Sequence, residues 1–508
     1  MIEFKYGCKY WSKEAIAMTV NNPKDLEQSG YTIAYQGREL SSEKKKEIFD
    51  KLQKIVGKKN VSDREIDKLS YSKDYWPIAL RWTLEGKIAA LPDFVVWPEK
   101  TQQVSHIVHL ANEEEIPVIP FGEGSGVLGG AIPVEGGIVV DMKKMDSILD
   151  INRTNLTVTV QPGINGMNFE RALNREGYTS GHIPQSLYCS TVGGWLACRA
   201  AGQFSTKYGK IDDMVISLEA VLPQGEIIRS KPVPKSSTGP RIDKLLLGSE
   251  GVLGIITEAT LKVWPYPEKR VLQSYAFSEL QDGLESVRII LSKGIYPAVV
   301  RLYDRIETSR HFYQTKKAKG KCMLILVMEG YKELVDLEEK VSRIVCTENK
   351  GVECGENPVT HWFDTRFNVK ETSEFVPRDV IFDTIEVSVM WDKSLQLYES
   401  MISAMNTIEG VILASAHASH FYPQGVCFYF TFGGTPVDTN ATDFYTSVWS
   451  TAMKSCIKAG GSISHHHGIG IMRASWLPEE LGETFDVFKR IKKTLDPKNI
   501  MNPGKMGL

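Results

Sequence analysis

The sequence predicts an α+β protein built from two main globular regions. Three observations carry this. At 508 residues the chain is too long for one hydrophobic core. Between residues 88 and 268, short apolar strands alternate with amphipathic helices, too irregularly for a doubly wound sheet. Beyond Pro265, strand-like runs separated by helices suggest a second sheet with helical cover. The expected divisions are an accessory segment at 1–87, a first domain at 88–268, a second at 269–484 and a tail at 485–508.

The elements follow in order. Ser41–Val56 reads as an amphipathic helix capped by Ser41 or Ser42, with Ile48, Phe49, Leu52, Ile55 and Val56 on one face. Tyr71, Trp76 and Trp82 are expected to pack this arm onto the next domain. Phe94–Trp97 is a strand, Thr101–Glu114 a helix, and Pro117–Ile119 and Gly137–Asp141 are further strands. Leu156–Gln161 alternates apolar residues with threonines, as a half-buried strand does. Asn168–Glu176 reads as a helix, Val215–Leu222 with Glu226–Arg229 as a hairpin, and Gly254–Val263 as a strand. In the second region, Leu280–Ser292 and Glu333–Val345 are helices. Ala298–Leu302, Met323–Met328, Val411–Ala414 and Val426–Phe432 are strands, and Phe485–Thr494 is a terminal helix.

Composition narrows the function classes. The formal net charge is −2, without the basic excess of a nucleic-acid binder. Eight cysteines are scattered with no C-x-x-C pair, which fits reduced thiols and a cytoplasmic setting. The first residues carry no apolar secretory core, and no apolar run is long enough to span a membrane.

Pro117–Pro133 (PVIPFGEGSGVLGGAIP) is the most informative stretch. Glycines lack a Cβ, so backbone N–H groups can converge on a phosphate. Gly124, Gly126 and Gly129 fit G-x-G-x-x-G, but that motif needs a helix directly afterwards. Gly130-Ala-Ile-Pro133 cannot start one. A structural turn, or a loop cradling a pyrophosphate without a helix behind it, remain as readings.

Five ordered stretches resemble the vanillyl-alcohol-oxidase superfamily of FAD flavoproteins, whose FAD-binding domain is of the p-cresol methylhydroxylase (PCMH) type. They are Pro92–Pro98, the glycine loop, Ser190–Trp195 (STVGGW), Gly248–Glu258 and Asp496–Lys505 (DPKNIMNPGK). Within it the chain most resembles alkyldihydroxyacetone-phosphate synthases and the FAD-linked oxidases close to them. The pieces that carry this are Gly181–Ser186, Val300–Asp304 and Ser464–Gly470 (SHHHGIG). D-lactate and glycolate dehydrogenases of the superfamily usually carry Glu-His-Gly where this chain has His466-His467-Gly468. The first 85 residues do not match the synthases clearly.

The resemblance implies a two-subdomain PCMH-type FAD domain followed by an α+β substrate, or cap, domain. FAD would lie between the two. Pro120, Phe121, Gly122, Glu123, Gly124, Ser125 and Gly126 would hold its pyrophosphate. Gln185, Ser186, Ser190, Thr191, Gly193, Gly194, Cys198, Arg199, Ala200 and Ala201 would line the rest, with Glu250, Gly251, Val252, Leu253, Gly254, Ile255, Ile256 and Asn502. Relatives sometimes tether FAD to a histidine of the phosphate loop; this loop has none, so FAD is expected to be non-covalent.

Histidines 465, 466 and 467 are flanked by glycines and read as a tight, exposed bend. Imidazole suits proton transfer near neutral pH. By resemblance His467 is the favoured base and His466 the next, while His465 is equally well read as a backbone partner. Arg301, a charge within an apolar run, would hold a carboxylate or phosphate. Tyr429 is a candidate proton relay, or else an aromatic core residue. His417 and His420 are weighed as a metal pair, but the strand expected after Pro423 argues against a helical turn there, and no metal is expected.

Two functions stay open: oxidation of a small 2-hydroxy acid by hydride transfer to flavin N5, and redox-neutral exchange of acyl for alkyl in ether-lipid synthesis. A non-catalytic flavin binder is a third. The expected partners are a small substrate with an anionic group, a second copy of the chain and peripheral contact with a membrane, with no nucleic acid.

Overall fold

A computed structural model of the chain describes residues 32–35, 37, 39–368 and 380–508. The first layer is a four-stranded sheet in the order Val61–Ser62, Phe94–Val96, Ile138–Asp141, Val118–Phe121. The first pair is antiparallel and the others parallel. Parallel strands are buried on both faces, which is why these read as continuous apolar runs. Phe94, Val96, Val118 and Val140 pack on one side against Ile48 and Leu52 of helix Ser42–Val56 and Val104 and Ile107 of helix Thr101–Glu114. Val95, Ile119 and Val139 pack on the other with Tyr71 and Phe121. The Ser41 Oγ accepts the Lys44 amide at 3.2 Å and caps the first helix. Residues 42–62, expected in an accessory segment, thus supply a covering helix and an edge strand of this layer.

A second, antiparallel sheet follows, in the order Ile227–Arg229, Val215–Val221, Ile255–Lys262, Thr157–Val160, Ile148–Asn152. The expected hairpin around Pro223–Gly225 forms its edge.

The second region is a seven-stranded antiparallel sheet. Its order is Val352–Glu353, Lys269–Phe277, Cys322–Gly330, Val299–Tyr303, Val411–Tyr422, Gly425–Gly434, Ile381–Met390. Alternate side chains face opposite ways. Leu302 presses on helix Leu280–Ser292, where a Cβ on Gly283 would lie 2.7 Å from a Leu302 methyl. Phe428 and Phe430 meet Tyr398 of helix Ser394–Asn406, and Asp383 accepts from Tyr445 and Trp449 of helix Ala441–Lys458. Residues 301, 303, 417, 429 and 386 therefore face the side away from these helices.

Indole hydrogen bonds and the returning tail help join the regions. Trp76 donates to the Tyr445 hydroxyl at 3.1 Å and Trp82 to Thr442 Oγ1 at 3.0 Å, while Tyr71 stays with the first sheet. The tail returns to the glycine loop's own strand: Val118 donates to the Ile500 carbonyl at 2.7 Å, and Asn502 donates back to Val118 at 2.9 Å. No helix among the described residues is long and apolar enough to cross a membrane.

Candidate active site

The glycine loop leaves the strand Val118–Phe121 as an irregular bend with Gly124 at φ +67°. The amides of Glu123, Gly124, Ser125 and Gly126 donate to no protein acceptor among the described residues. Four successive free N–H groups form an anion cradle in search of oxygens. A Cβ on Gly122 would lie 2.5 Å from Thr191 Oγ1, so the loop abuts the STVGGW turn. A Cβ on Gly193 would lie 2.7 Å from Pro162 Cβ. The loop is pinned from behind: Tyr75 donates to the Gly126 carbonyl at 2.8 Å, Lys143 Nζ to the Gly122 carbonyl at 2.9 Å and Asn502 to the Gly130 carbonyl at 3.0 Å. These residues fit a pyrophosphate bound by main-chain amides.

Other expected cofactor residues surround this loop. Ser190 Oγ accepts the Trp195 indole at 2.7 Å, Thr191 caps helix Val192–Cys198, and Gln185 and Gly194 are exposed. Arg199 is exposed and pairs with Asp212 at 3.1 Å. Val252, Leu253, Ile255 and Ile256 have their side chains in the cores. The Glu250 carboxylate accepts the Ile469 amide at 2.5 Å and the Gly470 amide at 2.8 Å. Its side chain thus clamps the turn after the histidines.

The catalytic candidates stand on the cap sheet. Tyr303, His417, Tyr429 and Glu386 lie directly opposite one another across four strands and form one transverse row. His417 stacks between Tyr303, at 5.2 Å, and Tyr429, at 5.1 Å. Arg301, two residues along from Tyr303, donates to the Tyr303 hydroxyl at 2.8 Å and lies 2.7 Å from His417 Nε2. It has no carboxylate partner among the described residues, which leaves its charge for an anionic ligand. A register shift between Ala418 and His420 turns His420 to the same face, where Ser205 Oγ meets its Nδ1 at 2.7 Å. His417 and His420 therefore serve different partners.

The three histidines descend onto this row. Glu386 is fully buried and organises them. It accepts the His465 amide at 2.5 Å, the His467 amide at 2.9 Å and Arg473 Nη1 at 2.7 Å. Arg473 is equally buried and also donates to Ser464 Oγ and the Gly468 carbonyl. The backbone of the loop is thus spent on one buried ion pair, and the rings are left for each other and for tyrosines. Tyr429 hydrogen-bonds His466 Nε2 and lies 3.4 Å from His467 Nε2; Tyr422 meets His465 Nε2 at 2.7 Å.

The expectation of an exposed bend is corrected here: His466 is buried and His465 and His467 are half-buried, because Glu386 and Arg473 draw the loop onto the sheet. Burial holds all three imidazoles neutral. It pushes His467 down to about 4 against the opposing pull of Glu386, and His465 and His466 well below 6.5. Burial alone would raise Glu386, but the Arg473 guanidinium outweighs it and the carboxyl is held at about 2. His465, expected from the sequence to be as much a backbone partner as a base, also bonds through both ring nitrogens.

Glu386, Cys427, His465 and His466 bring four donor atoms within 4.8 Å of one another. Arg473 and two amides already engage the carboxylate, and burial holds the Cys427 thiol protonated. As folded, this is a proton-holding cluster.

Glu386, Arg473 and Tyr422 escaped sequence reasoning. One signal was present: Ile381–Met390 (IFDTIEVSVM) alternates strictly enough to be a strand, with one glutamate among its other-face residues.

Comparison with known proteins adds the family. Residues 92–231 match an FAD binding domain and residues 266–506 the C-terminal domain of FAD linked oxidases. The chain is 33% identical to an alkyldihydroxyacetonephosphate synthase of Caenorhabditis elegans over 82% of this chain and 76% of that protein. It is 33% identical to the uncharacterized FAD-linked oxidoreductase YgcU of Escherichia coli K12, over 90% and 97%. It is 29% identical to the glycolate oxidase subunit GlcD of Bacillus subtilis, over 91% and 97%. A solved alkyldihydroxyacetonephosphate synthase superposes with a TM-score of 0.76 at 26% identity, over 92% of this chain and 85% of that one. p-Cresol methylhydroxylase shares the fold, with a TM-score of 0.74 at 19% identity over 94% and 99%. With both flavoprotein domains matched in order and a phosphate cradle in place, the chain belongs to the FAD-linked oxidases and is an FAD enzyme of PCMH-type fold.

Proposed function

We propose that this enzyme oxidises a small hydroxy acid or a related hydroxy compound. One observation carries the reading: a neutral imidazole, His467, and a guanidinium without a carboxylate partner among the described residues, Arg301, stand over the same face of one sheet, linked through Tyr429 and His417. Arg301 holds the substrate's anionic group and fixes its orientation. His467 Nε2 takes the hydroxyl proton, and the Glu386 carboxylate, 3.8 Å from His467 Nδ1, steadies the imidazolium that results. Tyr429, whose hydroxyl burial keeps protonated, orients His466 and His467. Bound FAD supplies the two-electron acceptor at its isoalloxazine. The glycolate oxidase subunit among the relatives supports a hydroxy-acid substrate.

A second reading is exchange of acyl for alkyl, as in the alkyldihydroxyacetone-phosphate synthases. The uninterrupted His465-His466-His467 set against Tyr429 favours it. Anaerobic mixing separates the two. Bleaching of the flavin by glycolate or D-lactate is the outcome expected for oxidation. An unbleached flavin with fatty-acid release from acyl-dihydroxyacetone phosphate would overturn it in favour of exchange.

A further inference from the structure

The proton that reaches His467 has to leave before the next turnover, and the histidines are joined in a way that provides the route. His467 Nε2 lies 3.4 Å from the Tyr429 hydroxyl, which bonds His466 Nε2. His466 Nδ1 meets His465 Nδ1 at 2.8 Å, and His465 Nε2 meets the Tyr422 hydroxyl at 2.7 Å. His466 and His465 each enter the chain through one ring nitrogen and leave it through the other. Imidazole and phenol both donate and accept, so every link can pass a proton and reset.

We infer that His467, Tyr429, His466, His465 and Tyr422 form a proton wire that carries the substrate's proton from the reaction site to solvent at Tyr422. The inference rests on the proposed oxidation. His467 is 19% exposed by side chain and His466 6%, so the path dips into the interior before rising. Tyr422, at the end of its strand, is half-buried; its hydroxyl also meets Ser205 and feels the charges of the exposed Asp213 and of Asp212. Glu386, 3.9 Å from His466 Nδ1 and 3.8 Å from His467 Nδ1, supplies a fixed negative charge beside the inner part of the path. Lys210 holds the backbone carbonyl of His465 and keeps that ring in line.

The balance closes. The substrate O–H breaks as an N–H forms on His467, the C–H electron pair passes with its hydrogen to bound FAD, and one proton appears in water at Tyr422. Each ring ends neutral.

Holoenzyme mixed anaerobically with glycolate or D-lactate and a pH-indicator dye tests this. Wild type should release one proton in step with flavin bleaching. In Tyr422→Phe, bleaching should persist on the first turnover while proton release lags by at least an order of magnitude. In Tyr422→Ala, added imidazole should restore release by filling the gap. Release that keeps pace with bleaching in Tyr422→Phe, or a Tyr422→Ala defect that imidazole leaves untouched, overturns the wire. A second measurement needs no substrate. In wild-type holoenzyme labelled with ¹⁵N-histidine, a nitrogen–nitrogen coupling across the His465–His466 hydrogen bond should be seen. Its absence breaks the path at its centre. If neither acid bleaches the flavin, the substrate reading fails, and the coupling still decides whether the chain of bonds exists.

Discussion

The glycine loop and the histidine loop do their work by opposite means. The first recognises its ligand with main-chain amides, and its side chains are mostly absent. Neighbouring segments need only keep out of the way and hold its carbonyls. The second works with side chains, and its main chain is consumed by Glu386 and Glu250. The teaching is that a backbone site depends on local conformation, whereas a side-chain site depends on register between strands far apart in the chain.

The strongest way to break this contrast is to remove the support of the histidine loop. Arg473→Met leaves the Glu386 carboxylate buried without its guanidinium partner, and should cost about 3–5 kcal/mol by urea unfolding of the holoenzyme. Adding Glu386→Leu should recover much of that stability but not activity. If Arg473→Met instead released FAD with no change in stability, the two loops would not be independent.

His467→Ala should lower turnover by about 10²–10⁴-fold while the flavin spectrum and FAD content stay at wild-type values. Full activity in that variant would remove His467 as base.

Acid sharpens the contrast next. The folded pKa of His467, about 4, lies below its ordinary 6.5. A histidine held neutral contributes stability in full above 6.5, and loses it as pH falls toward 4, by at most roughly 3 kcal/mol for this group. Holoenzyme unfolding followed from pH 7 to 4 should show this loss, and His467→Ala should blunt it.

Gly124→Val tests the other loop. A Cβ there would lie 2.7 Å from the Phe121 ring, in a backbone at φ +67°. The strain of about 1–2 kcal/mol should weaken FAD binding roughly tenfold, read by flavin fluorescence, with turnover per bound flavin unchanged. The smallest effect is expected at Ser41→Ala. Losing that helix cap should cost about 1 kcal/mol of stability and alter neither FAD binding nor turnover.

The same contrast explains what could be read from the sequence. The helices Thr101–Glu114 and Leu280–Ser292 match their expected bounds because their periodicity is local. The glycine loop was legible for the same reason. The strand at Val411 was expected to stop at Ala414 but runs on to Tyr422, because Ala416, Ala418, Ser415 and Ser419 dilute its alternation. Strands Lys269–Phe277 and Ile381–Met390 and helices Ser394–Asn406 and Ala441–Lys458 went unpredicted, and with Ile381–Met390 went Glu386. His465, His466 and His467 announced themselves, but their burial did not. It is dictated by Arg473 and by a glutamate 79 positions before His465.

One consequence concerns the order of assembly. Asn502 reaches back across 372 residues to hold the Gly130 carbonyl, and Val118, paired with Ile138 on one side, gains its neighbour on the other only when Met501 arrives. A ribosome adding about 5–20 residues per second needs roughly 20–75 s to make that stretch. During that interval the nascent first domain has its amide cradle but lacks this closing clasp. A product stalled before Met501 would lack that clasp and is expected to hold the yellow coenzyme less firmly than the chain that carries it.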